Sequence, residues 1–438
     1  MINSYTDALA YLYNHIPNDG IKKFPGELGL ARMKTLMSEL GKPQDQYPVI
    51  HVAGTSGKGS TATLISHALV SQGFTVGLHL SPHLLDIRER VQLNNGYISE
   101  EKFVQYLNEL LPVIEKIESG EFGRTTYFEI LVALAYYTFW KERVDYAVIE
   151  TGMGGLFDGT NVVNTRNKVA VITKIGYDHV GILGNTLPEI ALQKAGIIQA
   201  GNTVIVAPQD QAVLSVFRDR AKIRQAKYVR VSEHDFTVKK ITTTGTIFVD
   251  TKRQLEMTLS LIGAHQAENA VVAREVIDAL SESDDWKVEE ESLAKAWSDL
   301  RMPARMDVIS TQKNTLIIDG AHNTQKMDAF LSALHAAYPA QKFVFLVAFK
   351  QGKDSETMIH AIEKLAQEIV ITDFRVESQD MVNISEDPKT IASYIFAVPH
   401  MIIPGAQEAI TYATSKERQV VVTGSLYFAS EVYKVINK

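Results

Sequence analysis

Residues 54–60, GTSGKGS, crowd three glycines around a single lysine, a combination suited to holding phosphate. Glycines let main-chain N–H groups come close to phosphate oxygens, and Lys58 adds a point of positive charge. The run upstream, Tyr47 to Ala53, is apolar and short enough for a buried strand; downstream, Leu64, Ala68 and Leu69 recur at helical spacing. The loop thus sits before a helix N-terminus, where unpaired N–H groups and the positive end of the helix dipole favour an anion. Its spacing is not that of Walker A, which has four residues between its first glycine and Gly-Lys and places Ser or Thr directly after the lysine. Here Gly54 stands only three positions before Gly57, and Gly59 separates Lys58 from Ser60. A glycine-rich turn with an exposed lysine is the plainer alternative. The order strand, loop, lysine, helix favours nucleotide phosphate over it.

Three other segments place polar groups just beyond apolar runs. "DYAVIETGMGG" ends a run with Glu150 and follows it with glycines; "TKIGYDHVGILG" carries Asp178 and His179; "LHLSPHL" carries Ser81. Ligands of open α/β sheets bind at the carboxyl ends of strands, and a carboxylate there suits Mg²⁺. Each residue alone has an ordinary explanation: an acid closing a glycine turn, a packed histidine, a Ser-Pro loop opening. A hydroxyl, a carboxylate and an imidazole at three strand ends beside one phosphate loop make a stronger case together.

The elements that must position these groups follow from the pattern of the chain. Between 47 and 207, apolar runs at 47–53, 74–80, 144–150, 168–175 and 202–206 alternate with helical patterns at 60–72, 99–118, 126–142 and 186–195. That alternation predicts a parallel sheet with crossover helices. Residues 226–262, rich in Thr, Val and Ile, read as antiparallel strands, and 265–281 as a helix. "LRMPARMDVIS", with Pro303, reads as a linker, after which strands near 315–319, 342–348, 368–373, 400–403 and 419–423 begin a second alternating series. The expected fold is α/β: an N-terminal P-loop ATPase-type domain (1–299) with a mainly parallel sheet plus a small antiparallel sheet, then a smaller Rossmann-like α/β domain (300–438).

Composition bounds the function. A chain of 438 residues that is 45% hydrophobic can bury substantial cores, and a formal charge of −7 argues against general nucleic-acid binding while allowing a local basic pocket. There is no cysteine, which excludes disulfides and thiolate metal sites. No basic segment leads into an apolar stretch at the N-terminus and no run reaches membrane-spanning length, so a cytoplasmic monomer without membrane attachment is the expectation.

The motifs taken in order resemble one family. GTSGKGS, "SPHLLDIRERV", "FEILVALAYYTF", "VIETGMGG", "DHVGILG", "KAGI", "GAHQAENA", "RMPARMD", "IIDGAHN" and "VVTGSLYFAS" span nearly the whole chain. They resemble the folylpolyglutamate synthases, including bifunctional dihydrofolate synthases, within the Mur ligase superfamily, whose phosphate loop has this shortened form. The resemblance implies ATP bound by Gly54, Thr55, Ser56, Gly57, Lys58, Gly59 and Ser60, with Asn269 and Arg305 at the adenine or phosphate end. It implies Mg²⁺ ligands at Ser81, Glu150 and His179, and a carbamylated Lys194 in KAGI as a further anionic ligand. Asp319 and His322 are implied to help hold nucleotide and incoming amino acid, and Ser425 and Ser430 to lie near the glutamate. The implied reaction phosphorylates a carboxylate with ATP, and the amine of L-glutamate then attacks the acyl phosphate. No side-chain nucleophile is needed, and two domains would shield the acyl phosphate from water.

Acceptor recognition is the less determined part. Arg88 and Arg90 lie in a long connection, 81–96, where they could attract the polyanionic tail of a folate; a solvated charged hairpin explains them nearly as well. Asp158 in "LFDGTN" matches a position linked to pterin or pteroate recognition in bifunctional relatives. Phe128 could stack on a flat ring, though its apolar neighbours favour core packing. Whether dihydropteroate is a substrate beside folate stays open. A Mur-type ligase acting on a nucleotide-linked muramyl peptide is the nearest rival, but such enzymes carry an extra N-terminal domain, and only about fifty residues precede Gly54 here. A nucleotide-regulated binding protein without turnover would not need the collected metal-site residues. A P-loop kinase or GTPase is disfavoured by the loop spacing and by the lack of an NKxD element.

Overall fold

The computed structural model describes residues 1–16, 26–310, 314–377, 380–415 and 418–436. Eight strands form the first sheet: β1 (Val49–Ala53), β2 (Val76–His79), β3 (Gln92–Leu93), β4 (Gly96–Tyr97), β5 (Tyr146–Glu150), β6 (Val169–Ile172), β7 (Thr203–Val206) and β8 (Lys227–Arg230). Their order is β4-β3-β2-β5-β1-β6-β7-β8. Strands β2 to β8 in that order pair in parallel, and the β3–β4 hairpin adds an antiparallel edge. The inner strands are buried along their whole length, which is why they read as continuous apolar runs rather than as alternating ones.

One face of this sheet carries two apolar clusters. Val49, Ala147 and Ile149 pack with helices Gly26–Glu39, Glu100–Glu118 and Tyr127–Lys141, while Ala53, Ala170, Ile172, Val204 and Val206 pack with helices Leu187–Lys194 and Gln211–Arg224. Helix Tyr127–Lys141 is buried nearly all round and begins in a reciprocal cap, Thr126 with Glu129, which satisfies main-chain donors that the core cannot hydrate. Helix Lys58–Ser71 packs on β1, β2 and β5 and so holds the glycine loop at the top of the sheet's centre.

Three further strands, β9 (Phe236–Thr242), β10 (Gly245–Asp250) and β11 (Leu255–Leu259), form a small sheet in which β10 and β11 are antiparallel. The last large sheet comprises β12 (Asp307–Ser310), β13 (Thr315–Ile318), β14 (Phe343–Val347), β15 (Ala366–Ile371), β18 (His400–Ile402) and β19 (Val420–Thr423), in the order β12-β13-β19-β14-β15-β18. All its pairings are parallel except β12 with β13. A short hairpin, β16 (Arg375–Val376) and β17 (Asn383–Ile384), lies outside it. By internal contacts the chain divides into one unit of Met1–Phe236, Glu268–Trp297 and Ser378–Met381 and another of Thr237–Ala267, Ser298–Glu377 and Val382–Lys438. Residues 237–267 therefore group with the C-terminal part, whereas the sequence reading drew its boundary near 300.

Three expectations change. Residues 227–230 are not part of the antiparallel region: β8 pairs in parallel with β7 after the crossover helix Gln211–Arg224. The segment read as a linker contains β12, an antiparallel edge strand. Helices Tyr5–Tyr13, Gly26–Glu39, Gln211–Arg224 and Glu290–Ser298 were not anticipated. Among the described residues no helix is long and apolar enough to cross a membrane.

Candidate functional site

The phosphate loop departs from β1 and runs into helix Lys58–Ser71 through Gly57, whose φ of +88° is disfavoured for residues with a side chain. A Cβ there would also stand 2.4 Å from Asn269 Oδ1. Asn269 is in turn within reach of the Thr61 hydroxyl at 3.4 Å, so the nucleotide-end residue inferred from "AENA" does stand over the loop. The loop is anchored below by Thr55 and Ser56, whose main-chain N–H groups donate to Lys174 O at 2.9 and 3.1 Å.

Around it the strand ends converge as the residue types suggested. A cleft is lined by Gly54, Thr55, Lys58, Thr151, Gly152, Met153, Gly154, Asp178, His179 and Lys194. Lys58 Nζ stands 3.8 Å from Glu150 Oε1, while Glu150 Oε2 accepts the main-chain N–H of Ser81 at 3.1 Å. Lys194 is buried and donates to Gly54 O at 2.9 Å. It arrives there because helix Leu187–Lys194 starts in a reciprocal Thr186–Glu189 cap with Pro188 in its first turn, and ends at Lys194. Gly196 then allows close approach: a Cβ there would lie 2.3 Å from the Leu156 Cα. His179 adopts a φ of +52°, uncommon for a residue with a side chain, and its N–H is held by the Asp178 carboxylate at 3.0 Å.

The residues fit a divalent cation. Ser81 Oγ is buried with no hydrogen-bond partner beside the Glu150 carboxylate, and a buried hydroxyl without a partner is costly unless something occupies its lone pairs. The donor set of hydroxyl, carboxylate and imidazole is mixed. Among the described residues no three His, Asp or Glu side chains form a metal cluster by themselves.

The acceptor-side residues are placed differently from one another. Asp158 is buried and accepts Met153 N–H at 2.7 Å, Thr160 N–H at 3.0 Å and the Thr160 hydroxyl at 2.5 Å; burial pushes its carboxyl above the usual range despite these donors. The ring of half-buried Phe128 adjoins it, since a Cβ on Gly152 would meet Phe128 Cζ at 2.5 Å and Asp158 Oδ2 at 3.2 Å. The two arginines of the 81–96 connection do not line the cleft. Arg88 pairs with Asp86 at 2.7 Å and lies over the rings of Tyr5 and Tyr97. Arg90 is fully buried, donating from Nε to His83 Nδ1 at 3.0 Å and resting on the Tyr127 ring. Arg88 is thus paired within its own loop, whereas Arg90 also donates from Nη2 to Asp380 at 3.0 Å.

The second unit gathers its predicted residues at the ends of β13 and β19. Asp319 accepts the N–H groups of Met306 and Ala321, each at 2.8 Å. His322 Nδ1 donates to Gly320 O at 2.8 Å, which leaves Nε2 to accept from Lys326 at 3.0 Å. Arg305 Nη1 donates to Ala304 O and lies where a Cβ on Gly320 would meet it at 3.3 Å. Ser425 is buried and its hydroxyl accepts Tyr427 N–H at 3.2 Å, opening helix Leu426–Ile436, in which Ser430 is also buried. Sequence reasoning missed Lys326, although its position four residues after His322 carried the signal. It also missed Thr151 and Thr160, for which no local signal exists.

Burial pushes the Asp319 carboxyl up to about 6, with Arg305 and the two N–H donors only partly opposing it. The folded chain therefore holds a proton that the unfolded chain has released. The associated stability is complete below the ordinary carboxylate range and is lost as pH rises through about 6. Melting temperatures measured from pH 4 to 7.5 are expected to show this decline in the parent protein and a flatter profile in Asp319→Asn.

The Mur ligase middle domain matches residues 52–277, and the C-terminal domain of dihydrofolate synthetase matches residues 303–435. The dihydrofolate synthase/folylpolyglutamate synthase of Bacillus subtilis is 31% identical over 444 residues, covering 99% of each chain. A Mycobacterium tuberculosis folylpolyglutamate synthase complexed with ADP superposes with a TM-score of 0.86 at 26% identity, covering 99% of this chain and 98% of that one. An FPGS–AMPPCP–folate complex does so with a TM-score of 0.81 at 27% identity over the full length of both chains. A match to both domains in this order, at near-complete coverage and over a glycine loop of the shortened form, places the chain in the folylpolyglutamate synthase/dihydrofolate synthase family of Mur-type ligases.

Proposed function

We infer that this chain is an ATP-dependent acid–amino-acid ligase that joins L-glutamate to the glutamyl carboxylate of a reduced folate through an acyl phosphate. The observation that carries the reading is the cleft in which Lys58 of the phosphate loop meets His179 and the helix-end residue Lys194, with Glu150 beside it, in a member of this ligase family. A carboxylate is a poor electrophile. Transfer of the γ-phosphoryl group of ATP to a carboxylate oxygen, with release of ADP, converts it into one that an amine can attack. The glutamate nitrogen then bonds to the acyl carbon, and phosphate leaves from the tetrahedral intermediate. The Lys58 ammonium offsets charge on the transferring group, and the loop N–H groups orient it. Ser81, Glu150 and His179 would hold Mg²⁺, which when bound supplies further positive charge at the phosphates. Asn269 supports the nucleotide from above the loop, while Arg305, Asp319 and His322 serve nucleotide and amino-acid binding, with Ser425 and Ser430 near the amino acid. The folate in one structural neighbour and the double name of the Bacillus subtilis relative support a pteroate-type acceptor, with dihydropteroate as a second substrate. We place the enzyme in the cytoplasm as a monomer, which sedimentation of the purified chain would check.

The test is direct. Purified protein with ATP, Mg²⁺ and glutamate is offered tetrahydrofolate or dihydropteroate separately, and ADP and ligated product are measured. ADP release that needs both glutamate and one of these acceptors is the expected result; release indifferent to both would overturn the reading.

Lys194 provides an independent check. We propose that it is carbamylated in the working enzyme, becoming an anion beside the cation site instead of a second ammonium near Lys58. Its burial favours the neutral amine that can take up CO₂. Lys194→Ala is expected to lose most ligation activity and to recover part of it in added acetate. Full activity without acetate would remove Lys194 from the mechanism.

A further inference from the structure

His51 is a polar residue set in an apolar surface. It lies in β1 opposite Ile149 on one neighbouring strand and Ala170 on the other, on the sheet face that carries the two apolar clusters and that it shares with His79 of β2, and it is fully buried. A buried imidazole is costly unless its hydrogen bonds accomplish something that an apolar residue could not. What it reaches is the residue that holds Asp158. His51 Nε2 stands 2.9 Å from Thr160 Oγ1 and 3.2 Å from Thr151 Oγ1.

The proton bookkeeping in this chain has one direction. The Thr160 hydroxyl donates its single proton to Asp158 Oδ1 at 2.5 Å, so its oxygen must accept from His51, which requires the Nε2–H tautomer. Burial first, then the proximity of Lys168 and His79, holds the imidazole well below its ordinary pKa and therefore neutral. Nδ1, buried and without a partner, is then a bare lone pair rather than a stranded N–H. The Thr160 main chain is held from elsewhere: Tyr136 donates its hydroxyl to Thr160 O at 2.9 Å, and Tyr47 donates to Tyr136 O at 2.8 Å. With the backbone pinned by Tyr136, the Thr160 side-chain rotamer is left to His51. That rotamer decides whether Asp158 Oδ1 has its hydroxyl donor.

We propose that His51, acting through Thr160, is a positioning residue that holds the Asp158 carboxylate in register beside Phe128 for recognition of the heterocyclic end of the acceptor. The inference rests on the reading of Asp158 as an acceptor-binding residue. His51 lies in the middle of β1, which ends one residue before Gly54, so β1 leads into the phosphate loop at its end and braces the acceptor carboxylate at its middle.

The experiment compares His51→Leu, His51→Gln, Thr160→Val, Thr160→Ser and Asp158→Asn in steady-state ligation, varying tetrahydrofolate and ATP separately and recording thermal melts. Loss of one hydrogen bond in a chain ending on a carboxylate is expected to raise the KM for tetrahydrofolate by about tenfold in His51→Leu and Thr160→Val. The KM for ATP and kcat should change little. Glutamine presents an N–H at the same reach as Nε2, so His51→Gln should restore most of the loss, as should Thr160→Ser. In an Asp158→Asn background the His51→Leu effect should largely vanish. An unchanged tetrahydrofolate KM in Asp158→Asn overturns the reading of Asp158 itself. A raised KM in Asp158→Asn beside a normal one in His51→Leu and Thr160→Val overturns the positioning role alone. Equal losses on both substrates, without rescue by glutamine or serine, would make His51 a packing residue. If His51→Leu fails to fold, the Thr160→Val and Thr160→Ser pair decides the question by the same KM criterion.

Discussion

Lys58→Ala is expected to lower ligation turnover by about a thousandfold, the scale seen when one preorganised charge or donor is removed from a transition state. The melting temperature should stay close to that of the parent protein. Both expectations come from the same geometry. Lys58 is the first residue of its helix, its side chain lines the cleft, and its ammonium lies 3.8 Å from the Glu150 carboxylate with little apolar packing to lose. Removing it takes away the one lysine of the loop at the point where the proposed reaction transfers phosphoryl charge. Lys58→Arg is the informative companion: it keeps the charge but not the compact ammonium, and should recover only part of the activity. Turnover within a few-fold of the parent in Lys58→Ala would take the loop out of the chemistry.

The second large effect concerns stability. Arg32, from helix Gly26–Glu39, donates Nε and Nη2 to the two oxygens of Glu129, each at 2.9 Å, and Nη1 to Phe122 O at 2.8 Å. The side chains are 6% and 3% exposed. The same carboxylate also accepts the Thr126 N–H at 2.8 Å at the head of helix Tyr127–Lys141. Arg32→Leu leaves Glu129 charged, buried and facing no cation, which should cost about 3–5 kcal/mol in urea unfolding. Because the penalty lies in the stranded charge rather than in the lost attraction, Arg32→Leu combined with Glu129→Gln should recover most of it. A loss below about 1 kcal/mol in the single variant, the range of exposed pairs, would show that the pair is solvated in the working protein.

The elements that carry the proposed site were legible in the chain. A strand that is buried on both faces has to be a continuous apolar run, and the residues at its carboxyl end have to be where ligands bind. Ser81, Glu150 and His179 could therefore be marked as candidates, and the structure sets the Ser81 N–H 3.1 Å from the Glu150 carboxylate and His179 in the cleft with Lys58. The glycine loop turns on Gly57, whose backbone conformation and closeness to Asn269 few other residues tolerate. The arginines show the opposite case. Arg88 and Arg90 are two positions apart in one loop, yet one lies over tyrosine rings beside Asp86 and the other is fully buried against Tyr127. Charge attracts equally whether the partner is a substrate or a neighbouring carboxylate, and only the packing of the loop shows which is present.

Edge elements were lost for a related reason. β8 is exposed or half-buried along its length, so Lys227 to Arg230 carries no apolar signature, and its parallel pairing depends on a crossover helix bringing it beside β7. β12 hides beside Pro303 because it needs only one neighbour, β13. The same limit governs the least legible feature of all. Nothing local links His51 to Thr160 and Asp158, more than a hundred positions away, and a histidine inside an apolar strand reads as a packing residue. Patterns of burial and turn chemistry are written in neighbouring residues, because strands, helices and glycine loops are short-range solutions to main-chain hydrogen bonding. Which polar groups then meet across the sheet is decided by register and layer packing. That is where the direction of a single threonine proton, and with it the setting of a carboxylate, is determined.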